Sequence, residues 1–156
     1  MNKKNYTGKL IAIDMYNCYA VTIADVEATE KALEEGCAKY GMQLCEIVHH
    51  KEEEQQEYSL SAICQQGHVT LHIYPELGFV AADVFSCYPN ADPAGMSRCI
   101  RDHFDADKAK ITLLDRGDFG SENDMKPHHR NNTKFIRRTQ NLGGKLKKIM
   151  LKPRSI

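Results

Sequence analysis

The chain has 156 residues, 42% of them hydrophobic, with 21 Lys and Arg against 21 Asp and Glu. That length suits one compact domain with a modest core. A charged content of 27% beside frequent Leu, Ile and Val excludes a wholly disordered chain. No apolar run approaches the roughly 18 residues of a membrane span, and Met1 to Asn5 lead into no secretory apolar segment, so a soluble cytoplasmic protein is expected.

The zero net charge hides an asymmetry. From Lys126 to Ile156 there are ten Lys and Arg and no acidic residue, whereas residues 1–125 carry eleven basic residues against all 21 acidic ones, a net −10. An acidic body with a basic tail suggests a tail with its own task or an anionic partner. The six cysteines, Cys18, Cys37, Cys45, Cys64, Cys87 and Cys99, form no CxxC pair and no zinc-finger spacing. They read as reduced thiols that pack as small hydrophobes, with Cys87 the exception.

In chain order, Lys9 to Met15 predicts a mostly buried strand. Ala24 to Tyr40 predicts a helix, with Asp25 as cap, Val26, Leu33, Cys37 and Tyr40 on one side, and Gly41 as the stop. Met42 to Val48 predicts a second strand, the polar run His49 to Glu57 a solvated loop, and the alternating Tyr58 to Cys64 a third strand. From Gly67 onward, Val69, Leu71 and Ile73 fall on one face of a strand and His68, Thr70, His72 and Tyr74 on the other. Pro75 to Gly78 form a turn, and Phe79 to Cys87 resumes the alternation. With those four residues as the loop, Tyr74 faces Phe79, Thr70 opposes Asp83, and Cys87 opposes Gln66 next to Gly67.

Asp92-Pro93 opens a second helix whose inner face carries Met96, Cys99, Ile100, His103 and Phe104, and Ile111 to Leu114 is a last short strand. The order β-α-β-β-β-β-α-β with short turns predicts an α/β two-layer sandwich, an antiparallel sheet with helices on one face. Ser121 to Thr133 reads as loop, and beyond it Phe135, Ile136, Leu142, Leu146, Ile149 and Met150 hint at an amphipathic helix broken by Gly143-Gly144. The expected division is a domain over residues 1–120 and a basic extension over 121–156.

His68 and His72 invite a metal reading, but residues four apart on a strand lie about 13 Å from each other, too far to share an ion, and no metal is expected. A strand face with two histidines, a threonine and a tyrosine is unusual for a core. Either it is an exposed face, or it lines a site or a subunit interface.

The stretch Gly67 to Cys87 closely resembles the signature of the bacterial and archaeal S-adenosylmethionine decarboxylases: Glu-Ser-His, two residues, Ile-His, an aromatic, Pro-Glu, Gly-Tyr-Ala and Asp-Val-Phe-Thr-Cys. The likeness extends to Asp14, Tyr16 and Cys18 in the first strand and to Arg116-Gly117, spanning about residues 8–118. It implies that family's fold and its chemistry. Such proteins take no external cofactor: a serine attacks the preceding carbonyl, the ester is broken by elimination, and a pyruvoyl group forms at the new N-terminus. That ketone holds S-adenosylmethionine as a Schiff base while CO2 leaves, and the product feeds spermidine synthesis.

By resemblance, His72 matches the histidine that assists self-cleavage and Ser59 its helper serine. Cys87 matches the proton-returning cysteine, Glu76 the ribose-binding carboxylate, and Tyr74 an aromatic position near the substrate, and His68 is also expected to bind substrate. Bacterial relatives form the site across a homodimer. Yet where the family has Glu-Ser at the scissile bond, this chain has Gln66-Gly67. Without a hydroxyl, neither acyl shift nor elimination starts, and Cys64 and Ser61 are out of register. The family's aromatic-bearing loop is replaced by Lys51-Glu52-Glu53-Glu54-Gln55-Gln56-Glu57, unsuited to stacking on adenine.

The leading expectation is therefore an uncleaved, non-catalytic or regulatory homologue without a pyruvoyl. Its expected partners are itself or an active paralogue, with an S-adenosylmethionine-like ligand. The alternative is an active decarboxylase in which Gly67 is an engineered or unusual substitution. Lys145 to Lys148 in the tail suit nucleic acid, an anionic membrane or the acidic body, against a plain solubilising tail.

Overall fold

The computed structural model describes residues 7–52, 54, 56–117, 122 and 124–133. Seven strands, β1 (Gly8–Tyr16), β2 (Leu44–Lys51), β3 (Tyr58–Cys64), β4 (Gly67–Tyr74), β5 (Phe79–Ser86), β6 (Lys108–Arg116) and β7 (His128–Thr133), form one sheet in the order β2-β3-β4-β5-β1-β6-β7. Every pairing is antiparallel. Helices α1 (Ala20–Ile23), α2 (Val26–Lys39) and α3 (Pro93–His103) accompany the sheet.

Alternation decides which side of the sheet is dry. Ile11, Ile13 and Met15 of β1, Leu60 and Ala62 of β3, Val69, Leu71 and Ile73 of β4, and Val80, Ala82 and Val84 of β5 are all buried. They join Leu33 and Cys37 of α2 and Met96 and Ile100 of α3 in one core, the expected two-layer arrangement. Both helices begin as the sequence predicts. The Ala28 N–H donates to Asp25 Oδ1 at 3.0 Å, and the Gly95 N–H donates to Asp92 Oδ1 at 2.8 Å with Pro93 following the cap. Beyond Tyr40, Gly41 stops α2 at φ +70°, where a side chain would be strained. No helix among the described residues is long and apolar enough to cross a membrane.

The β4–β5 register is the expected one, with Tyr74 opposite Phe79, Thr70 opposite Asp83 and Gly67 opposite Ser86. One residue further, the Cys87 N–H donates to the Gln66 carbonyl at 2.8 Å. Three expectations fail. The polar run after Val48 is not all loop, because β2 continues through His49, His50 and Lys51. A one-turn helix, α1, precedes α2. The segment expected as loop after Ser121 contains β7, which pairs with β6 from Lys108 opposite Thr133 to Leu113 opposite His128. Both β7 and the end of β2 are edge strands with largely exposed polar side chains, so backbone bonds hold them and hydrophobic periodicity does not announce them. The amphipathic pattern after Phe135 lies outside the described residues.

Of the cysteines, Cys18, Cys37 and Cys64 are buried, Cys45 is exposed, and Cys87 and Cys99 are half-buried. Burial pushes the Cys18 thiol up to about 11, and the adjoining Cys64 thiol together with burial also pushes Cys37 up. These are core thiols.

One part-buried contact makes stability pH-dependent. Thr29 Oγ1 donates to the Asp25 carbonyl at 2.8 Å and lies 3.1 Å from His103 Nε2, so the imidazole donates to the hydroxyl and carries its proton on Nε2. Burial holds His103 below the ordinary imidazole range. The unfolded chain then binds the extra proton first. This stabilisation is complete above about pH 6.5 and is lost as pH falls through that value toward the lower folded one. Urea unfolding between pH 7.5 and 5 will show stability falling on acidification, and His103→Gln will flatten that part of the slope.

Candidate functional site

The sheet face opposite the helices carries the residues singled out from sequence. β3 and β4 place Ser59 opposite His72 and Ser61 opposite Thr70. Ser59 Oγ and His72 Nδ1 are hydrogen-bonded at 2.9 Å, and Ser61 Oγ and Thr70 Oγ1 at 3.3 Å. Two positions on, Tyr74 stacks on Phe79 with centroids 5.8 Å apart, and Phe79 meets Tyr16 at 5.2 Å. Lys110 and Lys108 sit over the Tyr16 ring at 5.5 and 5.9 Å. Those two lysines were not singled out from sequence, although alternation through Lys108, Lys110 and Thr112 could have placed them beside Tyr16.

Glu76 is exposed in the turn between β4 and β5, at the same end of the sheet as Tyr74. A cleft of about 80 Å³ there is lined by Ser59, Tyr74, His50, Glu52 and Glu57. The stretch expected to lack an adenine platform thus contributes carboxylates to this end.

At the other end lie Gly67 and Cys87. The β3–β4 turn is tight, with Gln66 in the left-handed region at φ +58° and Gly67 pairing with both Cys64 and Ser86. A Cβ built on Gly67 would collide with the Phe85 carbonyl oxygen and lie 3.0 Å from Ser86 Cα. Cys87 Sγ rests over the bare Cα of Gly8, 2.7 Å from where a Cβ would stand there. Cys87 also opens into a cleft of about 510 Å³ bounded by Lys9, Tyr88 and Asp92. His68 lies beside Phe85, centroids 5.5 Å apart.

The singled-out residues therefore form two clusters rather than one. Ser59, His72, Tyr74 and Glu76 share one end, and Gly67, His68 and Cys87 the other. Gly67 and His72 are five residues apart on one straight strand, roughly 16 Å at the usual rise. Among the described residues, no group of three or more His, Cys, Asp or Glu side chains is placed to hold a metal ion.

The chain thus presents a seven-stranded antiparallel sheet with helices on one face and a polar, aromatic-flanked face on the other. The comparisons make this specific. Residues 9–117 match the family model described as S-adenosylmethionine decarboxylase. The S-adenosylmethionine decarboxylase proenzyme of Caldicellulosiruptor saccharolyticus is 31% identical over 112 residues, covering 72% of this chain and 90% of that protein. The Clostridium kluyveri proenzyme is 30% identical over 115 residues, covering 74% and 90%. The crystal structure of the adenosylmethionine decarboxylase of Aquifex aeolicus superposes with a TM-score of 0.66 at 19% identity, over 74% of this chain and 94% of that one. This chain belongs to the S-adenosylmethionine decarboxylase family.

That family makes a pyruvoyl group from its own chain rather than taking an external cofactor. Residue 67 does not fit such a group. It has no hydroxyl to attack the Gln66 carbonyl, and its Cβ direction is filled by backbone.

Proposed function

We propose that this chain is a non-processing member of its family, without a pyruvoyl group, that acts in polyamine metabolism as a dimerising regulatory homologue in the cytoplasm. The observation that carries this reading is Gly67, which has no hydroxyl and whose Cβ direction is filled by the Phe85 carbonyl. Gln66 and the carboxylates of Glu52 and Glu57 beside Ser59 point the same way.

The two-ended layout gives the regulation a form. One chain holds Ser59, His72, Tyr74 and Glu76 too far from its own residue 67 to act there. Two chains packed sheet to sheet about a two-fold axis would set one chain's His72 end against the other's Cys87 end. In a homodimer neither site has an electron sink. In a mixed dimer with an active paralogue, this chain would lend its His72 end to the partner's pyruvoyl. An S-adenosylmethionine-like molecule is the ligand proposed at that junction, and the basic extension expected over residues 121–156 shares its residues 128–133 with the sheet as β7.

A second reading, an active decarboxylase, is favoured by the retained 2.9 Å bond between Ser59 and His72. Incubation of the purified protein with carboxyl-labelled S-adenosylmethionine separates the two. The expected result is no CO2 above the protein-free control and no adduct trapped by cyanoborohydride. Sustained CO2 release would establish the second reading.

A further inference from the structure

On the opposite side of the sheet from these clusters, α3 packs over β1 and leaves the β6–β7 ribbon partly uncovered. Ile11 of β1 is buried at 3% exposure, whereas Ile111 and Leu113 of β6 are only half-buried. Arg130 of β7 pairs with Ile111, so it shares the helix-side face. The result is a groove of about 270 Å³ with an apolar floor of Ile11, Ile111 and Leu113 and a rim of Arg98, Arg101 and Arg130. Asn132, two residues on and opposite Ala109, shares that face and adds its amide from β7. Residues 128–133, which supply Arg130 and Asn132, lie beyond the residues 9–117 that match the family model.

Arg98 and Arg101 stand three residues apart on α3 and so project from neighbouring turns. Arg101 donates through Nε and Nη2 to Asp102 Oδ1 at 3.1 and 2.8 Å, and Arg98 Nη2 lies 3.6 Å from Asp92 Oδ2. Both ion pairs are part-exposed and hold the arginines weakly. Among the described residues, no carboxylate is within ion-pair distance of Arg130. Each guanidinium offers five donors, so the two Asp partners leave most of the donor set available to a ligand.

We infer that this groove binds a small organic anion, a phosphate monoester or a free carboxylate with an apolar body, the body on the Ile111–Leu113 floor and the charge between Arg101 and Arg130. An inorganic anion would leave the apolar floor unused. The volume of about 270 Å³ sits just below the roughly 300–1,000 Å³ usual for small-molecule clefts, so a compact ligand fits it. Because the groove faces α3, it is independent of the sheet-face clusters and of whether the chain decarboxylates anything.

The test is calorimetric titration of the full chain with phenyl phosphate, inorganic phosphate and phenol in parallel. Phenyl phosphate is expected to bind one to one and at least about tenfold tighter than either fragment alone. Arg130→Ala and Arg101→Ala are each expected to weaken it about tenfold, the scale of one charge-assisted hydrogen bond. Arg130 is exposed, so its variant should melt as the parent does. Inorganic phosphate binding equally well would reduce the site to non-specific charge and overturn the proposal. Binding unchanged in both variants would put the anion elsewhere, the basic tail included, and overturn it as well.

Discussion

Gly67→Ala will destabilise this protein by about 2–3 kcal/mol, although alanine ordinarily favours a strand over glycine. The added methyl would point at the Phe85 carbonyl oxygen and crowd Ser86 Cα, and both are backbone atoms of a strand held on two sides by β4 and β1. Neither can swing aside like a side-chain tip, so the β4–β5 ladder must open locally. Gly67→Ser carries the same Cβ and should lose a similar amount without gaining self-cleavage. The check is the urea midpoint at constant m-value. An unchanged midpoint would mean that the hairpin has room for a side chain, and that the missing hydroxyl is the whole of the difference from processing relatives.

Ala81→Arg should separate the proposed dimer. Ala81 sits at the middle of the open sheet face, between His72 of β4 and Asp14 of β1. In an isolated chain its side chain meets solvent, so arginine there should fold normally. In a face-to-face two-fold dimer the substitution enters twice, wedging two long side chains into the contact and burying each guanidinium with its Asp14 neighbour near the axis. Overpacking and desolvation of this kind cost about 2–5 kcal/mol, which predicts at least a hundredfold rise in Kd by sedimentation velocity. A variant that sediments like the parent would remove the open face as the contact surface.

Much of the fold was legible because its centre obeys simple rules. β4 and β5 alternate strictly, the four-residue turn fixes their register, and Cys87 lands on Gln66 as that register requires. Asp25, Asp92-Pro93 and Gly41 mark the helix ends by their chemistry. What escaped was the periphery. His128-His129-Arg130-Asn131-Asn132-Thr133 has no hydrophobic member, yet β6 supplies it with a full set of backbone partners. Tertiary pairing there overrides a sequence that reads as loop. At the site, residue types and their resemblance to a family were readable, and the cross-strand bond from Ser59 to His72 follows from register. Strand rise alone sets His72 and Gly67 roughly 16 Å apart, so within one chain the matched residues occupy two ends of the sheet face. The arginine groove was invisible because Arg98, Arg101 and Arg130 meet only once β7 joins the sheet.

Intact-mass spectrometry of the purified, full-length protein bears most directly on the central claim. A single species at 17.7 kDa, unchanged after prolonged incubation, is the predicted result. Two fragments parting between Gln66 and Gly67, the larger with a blocked N-terminus, would contradict it and return this chain to the self-processing decarboxylases.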